Sequence, residues 1–193
     1  MTTRRDFLKI SMLAGSALAI GFRFDDDAYA ADPAAPFQPN GWVRINPDGT
    51  VTVTVGKSEM GQGVRTSLPM ILAEELDADW SSIRIGQASP STQFNRLGTG
   101  GSFSVAGLWT PLRQAGATAR HMLITAAATR LNVDRASLRA ERGFVVHDAS
   151  KQRLSYGELT AAAAALPVLT EVPLKKTADF KIVGNATKRT DGH

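Results

Sequence analysis

The stretch from Val51 to Leu76, "VTVTVGKSEMGQGVRTSLPMILAEEL", makes a strand hand over to a helix through a glycine-rich turn. Alternating Val and Thr over 51–55 has the two-residue period of a half-buried strand. From Val64 the period changes. Val64, Leu68, Ile71, Leu72 and Leu76 fall on one stripe at helical spacing. Between the two patterns stand Gly61, Gln62 and Gly63. Glycine is favoured where a backbone bends sharply or a ligand comes close, and a glutamine amide both donates and accepts. A polar ligand on a helix N-terminus would suit this arrangement.

The remaining elements follow from the same rules. "WVRI" at 42–45 should pair with 51–55 through the turn Asn46-Pro47-Asp48-Gly49. A short strand is expected over 82–88, then a long Ser/Thr/Gly loop over 89–104. A second helix should run from about Leu108 to Leu131, burying Leu112, Ala115, Ala119, Met122, Leu123 and Ala126, with Pro111 in its first turn. Asp134 can cap a short turn, 143–148 reads as a strand, and a further short strand is expected from Leu154 onward. Ser155 and Glu158 form a capping box for a third helix reaching Leu166. The order predicts an α/β (α+β) sandwich, a mixed sheet covered by two main helices. Its boundaries are expected at 1–30 for an export signal, 31–40 for an extended lead-in, 41–174 for the domain and 175–193 for a linker toward a further domain.

The ends and the composition narrow the setting. Arg4-Arg5 precedes the apolar run "ISMLAGSALAIGF" and the small-x-small site Ala28-Tyr29-Ala30, the anatomy of a twin-arginine signal. That route carries folded proteins, commonly with a cofactor already inserted, and points to the periplasm. An uncleaved signal would instead anchor the chain to the membrane. The signal holds four basic and four acidic residues, so the net charge of +4 survives its removal. The basic residues are scattered without interleaved aromatics, which argues against a nucleic-acid partner. The chain has no cysteine, which excludes disulfides and iron–sulfur ligation by its own residues.

Two segments carry the candidate chemistry: Gly61-Gln62-Gly63, and "RLGTGGSFSVAG" at 96–107 with Gly98, Gly100, Gly101, Thr99, Ser102 and Ser104. Each precedes a helix and offers donors without bulk, a recipe for holding a phosphate or a polar heterocycle. Neither fits a P-loop or the dinucleotide fingerprint. His121, His147 and His193 show no metal-ligand spacing, no Ser/His/Asp set is visible, and no residue is assigned as catalytic. Glu74 and Glu75 read as a solvated face, and Trp42, Trp80 and Trp109 as core or interface residues. A non-catalytic exported module binding a phosphate-containing ligand is compatible with all of this.

"SEMGQGVRTSLPMILAEELDADW" together with "LGTGGSFSVAGLWTPLRQAGATAR" resembles the molybdopterin-binding large subunit of the xanthine dehydrogenase and aldehyde oxidase family, in particular its isoquinoline 1-oxidoreductase β-subunit branch. The resemblance implies a molybdenum cofactor in its cytosine dinucleotide form. Gly61, Gln62 and Gly63 would touch it on one side, and Gly100, Gly101, Ser102 and Ser104 on the other. It also implies hydroxylation of an aldehyde or an N-heterocycle with water as oxygen source. Electrons would leave through a small partner subunit carrying [2Fe–2S] clusters, with a cytochrome c as a further acceptor. The family's glutamate base has no counterpart in this chain, and Glu59 is not assigned that role. The N-terminal reading has a direct check: replacing Arg4 and Arg5 together by lysine should leave the precursor in the cytoplasm on cell fractionation, and undiminished export would remove the twin-arginine assignment.

Overall fold

The computed structural model describes residues 37–90, 94 and 97–190; the export signal and its cleavage site lie outside the described residues. The predicted hairpin forms. Strands β2 (Val43–Ile45) and β3 (Val51–Val55) pair antiparallel, Val43 opposite Val53 and Ile45 opposite Val51. Their turn closes with Gly49 N–H donating to the Asn46 carbonyl at 2.9 Å, Gly49 taking φ +84°. Strand β1 (Phe37–Asn40), within the segment expected as a lead-in, pairs antiparallel with β2. Helix α1 (Val64–Leu76) carries the chain across to β4 (Ile83–Gln87), which runs parallel to β3 with Val51 opposite Ile83 and Val55 opposite Gln87. The four-stranded sheet is thus ordered β1-β2-β3-β4.

Helix α2 (Ser104–Leu131) follows, then a separate antiparallel sheet of β5 (Leu138–Glu141), β6 (Phe144–His147) and β7 (Gln152–Ser155), and finally α3 (Tyr156–Ala164). The mixed α/β class holds, while the strands divide into two sheets where one was expected. Arg142 and Gly143, both at positive φ, make the two-residue β5–β6 turn, as the twist of a hairpin requires. The capping box is present: Ser155 Oγ accepts from Glu158 N–H, and the Glu158 carboxylate accepts from Ser155 N–H at 2.8 Å.

The apolar stripe of α1 and the predicted face of α2 are buried in one core with the valines of β3. The two helices approach at backbone distance. A Cβ on Gly116 would lie 2.5 Å from the Leu72 carbonyl oxygen. Helix α2 starts earlier than expected, at Ser104, so Pro111 lies inside it and not in its first turn. Lacking an N–H, Pro111 leaves the Gly107 carbonyl without its helical donor. Pro69 inside α1 does the same to the Arg65 carbonyl, and there Thr190 Oγ1 donates at 2.9 Å instead.

The largest correction concerns Glu74 and Glu75, which are 1% and 0% exposed, not solvated. Glu74 Oε2 accepts the N–H groups of Lys181, Ile182 and Val183 at 2.9, 2.6 and 3.0 Å, and its Oε1 meets Lys175 Nζ at 3.0 Å. Glu75 Oε1 takes Arg113 Nε at 2.7 Å, and Oε2 takes the Lys175 N–H at 3.1 Å. Residues 175–190, expected as a linker, therefore lie strapped along α1. Thr190 N–H reaches Thr66 Oγ1 at 3.1 Å in its first turn.

Burial alone would push the Glu74 carboxyl up. The N–H groups of Ile182 and Val183, the Lys175 ammonium and the Lys181 N–H outweigh it and hold the carboxyl below its ordinary 4.5. A depressed folded-state pKa contributes stability that is present above the unfolded value and lost as pH falls through the folded one. Glu74→Gln leaves Lys175 with less charge to pair against and should cost about 3 kcal/mol at neutral pH, read from the urea midpoint. The gap to the unsubstituted protein should narrow below pH 4.5; a gap independent of pH would mean that the carboxylate charge contributes nothing.

Candidate functional site

Because β3 and β4 are parallel, their C-terminal ends lie side by side, and each runs into one of the two glycine segments. The first loop leaves β3 at Val55 and enters α1; the second leaves β4 at Gln87 and enters α2. A crevice at the carboxyl ends of parallel strands is where α/β folds commonly seat ligands. The loops are tied together: Ser58 N–H donates to Thr99 Oγ1 at 2.9 Å, Thr99 Oγ1 donates to the Ser58 carbonyl at 3.2 Å, and Lys57 Nζ donates to the Gly98 carbonyl at 2.8 Å. Phe94 meets the Trp42 ring edge-on at 5.0 Å, and a Cβ on Gly56 would touch both Trp42 and Leu97. The structure thus brings both predicted segments to one place.

Within the first loop, Gly61 and Gly63 take φ +98° and +84°, so a side chain at either would be strained. The Gln62 amide bridges its own loop, Oε1 accepting from Met60 N–H at 2.6 Å and Nε2 donating to the Ser58 carbonyl at 2.8 Å. Gly63 is the N-cap of α1 and has no side chain to cap it. Glu59 does this from outside the helix: Oε1 accepts from Gly61 and Gly63 N–H, both at 2.8 Å, and Oε2 from Arg65 N–H at 3.0 Å. The backbone donors expected to face a ligand are therefore engaged by a carboxylate of the chain itself. A helix that opens on glycine still needs an acceptor for its first N–H groups, and that requirement was the available signal for Glu59.

The second loop is arranged differently. Gly101 and Ser102 take φ +61° and +53°, and Phe103, the N-cap of α2, offers no side-chain cap. Ser104, the first residue of α2, is 9% exposed. Among the described residues, a Cβ at Gly61, Gly63, Gly98, Gly100 or Gly101 would meet nothing within 4 Å, so no described atom crowds either loop there. Arg65 Nε is buried without a partner among the described residues. Met60 and Phe103, at 70% and 67% exposure, place apolar surface at the two loop tips. Open glycine backbone, one unanswered guanidinium nitrogen and apolar tips together give the loops a surface on which a ligand could rest.

Other groups are accounted for within the fold. His121 is held below its ordinary range by burial and then by the Arg135 and Arg120 charges, and its Nδ1 lies 2.8 Å from the Arg135 guanidinium. A cleft of about 270 Å³ lined by residues including Glu74, Asp77, Asp79, Arg142 and Lys181 has its charges paired, Arg142 with Asp79 at 3.1 Å and Lys181 with Asp77 at 3.8 Å within the lining, and Glu74 with Lys175 at 3.0 Å behind it. Among the described residues no helix is long and apolar enough to cross a membrane, and no three His, Asp or Glu side chains are grouped to hold a metal.

Residues 13–193 match the molybdopterin cofactor-binding domain family. Among relatives, isoquinoline 1-oxidoreductase subunit beta of Brevundimonas diminuta is 40% identical over 144 residues, 71% of this chain and 18% of that one. The membrane-bound aldehyde dehydrogenase (pyrroloquinoline-quinone) of Gluconacetobacter polyoxogenes is 32% identical over 196 residues, covering 95% and 25% of the two chains. Of solved structures, quinoline 2-oxidoreductase from Pseudomonas putida 86 superposes with a TM-score of 0.51 at 28% identity, over 62% of this chain and 15% of that one. The Cu,Mo-containing CO dehydrogenase superposes with a TM-score of 0.50 at 28% identity, over the same shares of the two chains. The chain spans a quarter or less of the length of these proteins.

The cap supplied by Glu59 can be tested apart from any ligand. Glu59→Ala should cost about 1 kcal/mol, the usual loss for a helix N-cap. It should also speed amide exchange at Gly61, Gly63 and Arg65. Unchanged exchange there would show that the carboxylate does not hold the loop in solution.

Proposed function

Since the chain belongs to the molybdopterin cofactor-binding domain family, we propose that its paired glycine loops form one wall of the seat for a molybdenum cofactor in the cytosine dinucleotide form. The observation that carries this reading is the convergence of the two loops at the carboxyl ends of β3 and β4, tied through Ser58–Thr99 and Lys57–Gly98. The whole protein is then a hydroxylase of an aldehyde or an N-heterocycle, with water as the oxygen source. It would pass electrons to a small [2Fe–2S] subunit and on to a cytochrome c. Export to the periplasm by the twin-arginine route is part of the same reading, because a cofactor seated in a folded protein must cross with it.

The bound cofactor would supply the two-electron acceptor for oxidation of the substrate carbon. This chain's residues bind and orient. Gly61 and Gly63 let the main chain pass close to a planar group, Gln62 stiffens the loop through Met60 and Ser58, and Gly100, Gly101, Ser102 and Ser104 present backbone and hydroxyl donors from the other side. No residue here is assigned a proton-transfer role.

The name of the Gluconacetobacter polyoxogenes relative favours a second reading, in which the loops face pyrroloquinoline quinone, also flat and polyanionic. Metal analysis separates the two. The chain joined to its downstream continuation should carry molybdenum and release cytidine monophosphate on acid hydrolysis. Gln62→Ala in that protein should lower molybdenum content on the order of tenfold with an unchanged circular dichroism spectrum. A quinone spectrum without molybdenum would favour the second reading, and neither group would leave a non-catalytic phosphate-binding module.

A further inference from the structure

Arg65 is tied at its backbone and loose at its side chain. Its N–H donates to Glu59 Oε2 at 3.0 Å. Its carbonyl, deprived of a helical donor by Pro69, accepts from Thr190 Oγ1 at 2.9 Å. The first turn of α1 is therefore pinned from the loop on one side and from the C-terminal strap on the other. The guanidinium has no such anchor. Nε is buried without a partner, the sole side-chain nitrogen or oxygen in that condition among the described residues. A buried, charged donor left unpaired is costly, and such an atom calls for an acceptor that the described residues do not supply.

The N-terminus of α1, the helix end nearest to Arg65, is closed to an anion. Glu59 already accepts from Gly61, Gly63 and Arg65 N–H, so a phosphate brought there would meet a carboxylate and find its donors spent. Resting on the cofactor reading above, we propose that Arg65 is a binding residue for the ligand's phosphate or pyrophosphate group, and that Glu59 is a positioning residue that keeps the anion off the helix end. A guanidinium suits this role because its planar fork meets two phosphate oxygens at once, which an ammonium cannot do.

The test is calorimetric titration of the full chain with inorganic pyrophosphate at low ionic strength, with thermal melts to establish folding. Arg65→Gln should weaken binding at least tenfold, and Arg65→Lys should recover part of the loss, while both melt like the unsubstituted protein. Equal affinity in Arg65→Gln overturns the assignment, as does a full chain that binds no pyrophosphate. Molybdenum and pterin analysis of the longer protein distinguishes the two failures. Pterin retained at the normal level in Arg65→Gln removes Arg65 alone, whereas its absence from every form removes the cofactor reading beneath it.

Discussion

One buried carboxylate organises much of this chain. Glu74 lies on the face of α1 turned toward the C-terminal strap, and three successive backbone N–H groups of residues 181–183 converge on a single oxygen. Taking a carboxylate out of water costs several kcal/mol by itself. The cost is offset only because Lys175 and those N–H groups surround it, so the strap cannot leave without stranding a charge. Glu75 repeats the arrangement one residue on, with Arg113 and the Lys175 backbone. Once docked there, the strap runs back along α1 to Thr190, which meets Thr66 and the carbonyl that Pro69 leaves open. A feature near the C-terminal end of the helix is thereby coupled to its first turn, next to the Gln62 loop.

The parallel pair β3–β4 is the second constraint. An antiparallel partner would have placed the two glycine loops at opposite ends of the sheet. The crossover through α1 instead puts both at one edge, where Thr99 and Ser58 exchange hydrogen bonds. Gly116 matters here as well. By letting α1 and α2 touch at backbone distance, it fixes the spacing of the two helices that the loops enter.

What could be read in the sequence was what depends on near neighbours. The Asn46–Gly49 turn, the valine alternation of β3, the apolar stripe of α1 and the Ser155–Glu158 capping box each rest on residues within a turn or two of one another, and the structure contains them. Glu74 and Glu75 were misread because periodicity assigns glutamates to water, whereas their partners lie some hundred positions away at Lys175 and Lys181–Val183. The start of α2 was placed late because Phe103 is not a capping residue type, so nothing local marked it. The division into two sheets depends on which strands meet in space, which spacing alone does not encode. Of the candidate site, the loops and their glycines were legible. The occupancy of the first loop's N–H groups by Glu59 was not, since a glutamate four residues before a glycine N-cap is an uncommon cap.

The two helix N-termini are consequently unequal. The positive end of α1 is neutralised by a carboxylate held at 2.8–3.0 Å, while that of α2 has no side-chain cap and no acidic residue in its first turn. A helix dipole presents about half a positive charge at its N-terminus, enough to matter only where no full negative charge lies beside it. An anion approaching the paired loops therefore experiences attraction from the α2 end and repulsion from Glu59. This asymmetry gives the pair of loops a direction: the α1 end already holds a carboxylate, and the α2 end keeps its first N–H groups free of any side-chain cap.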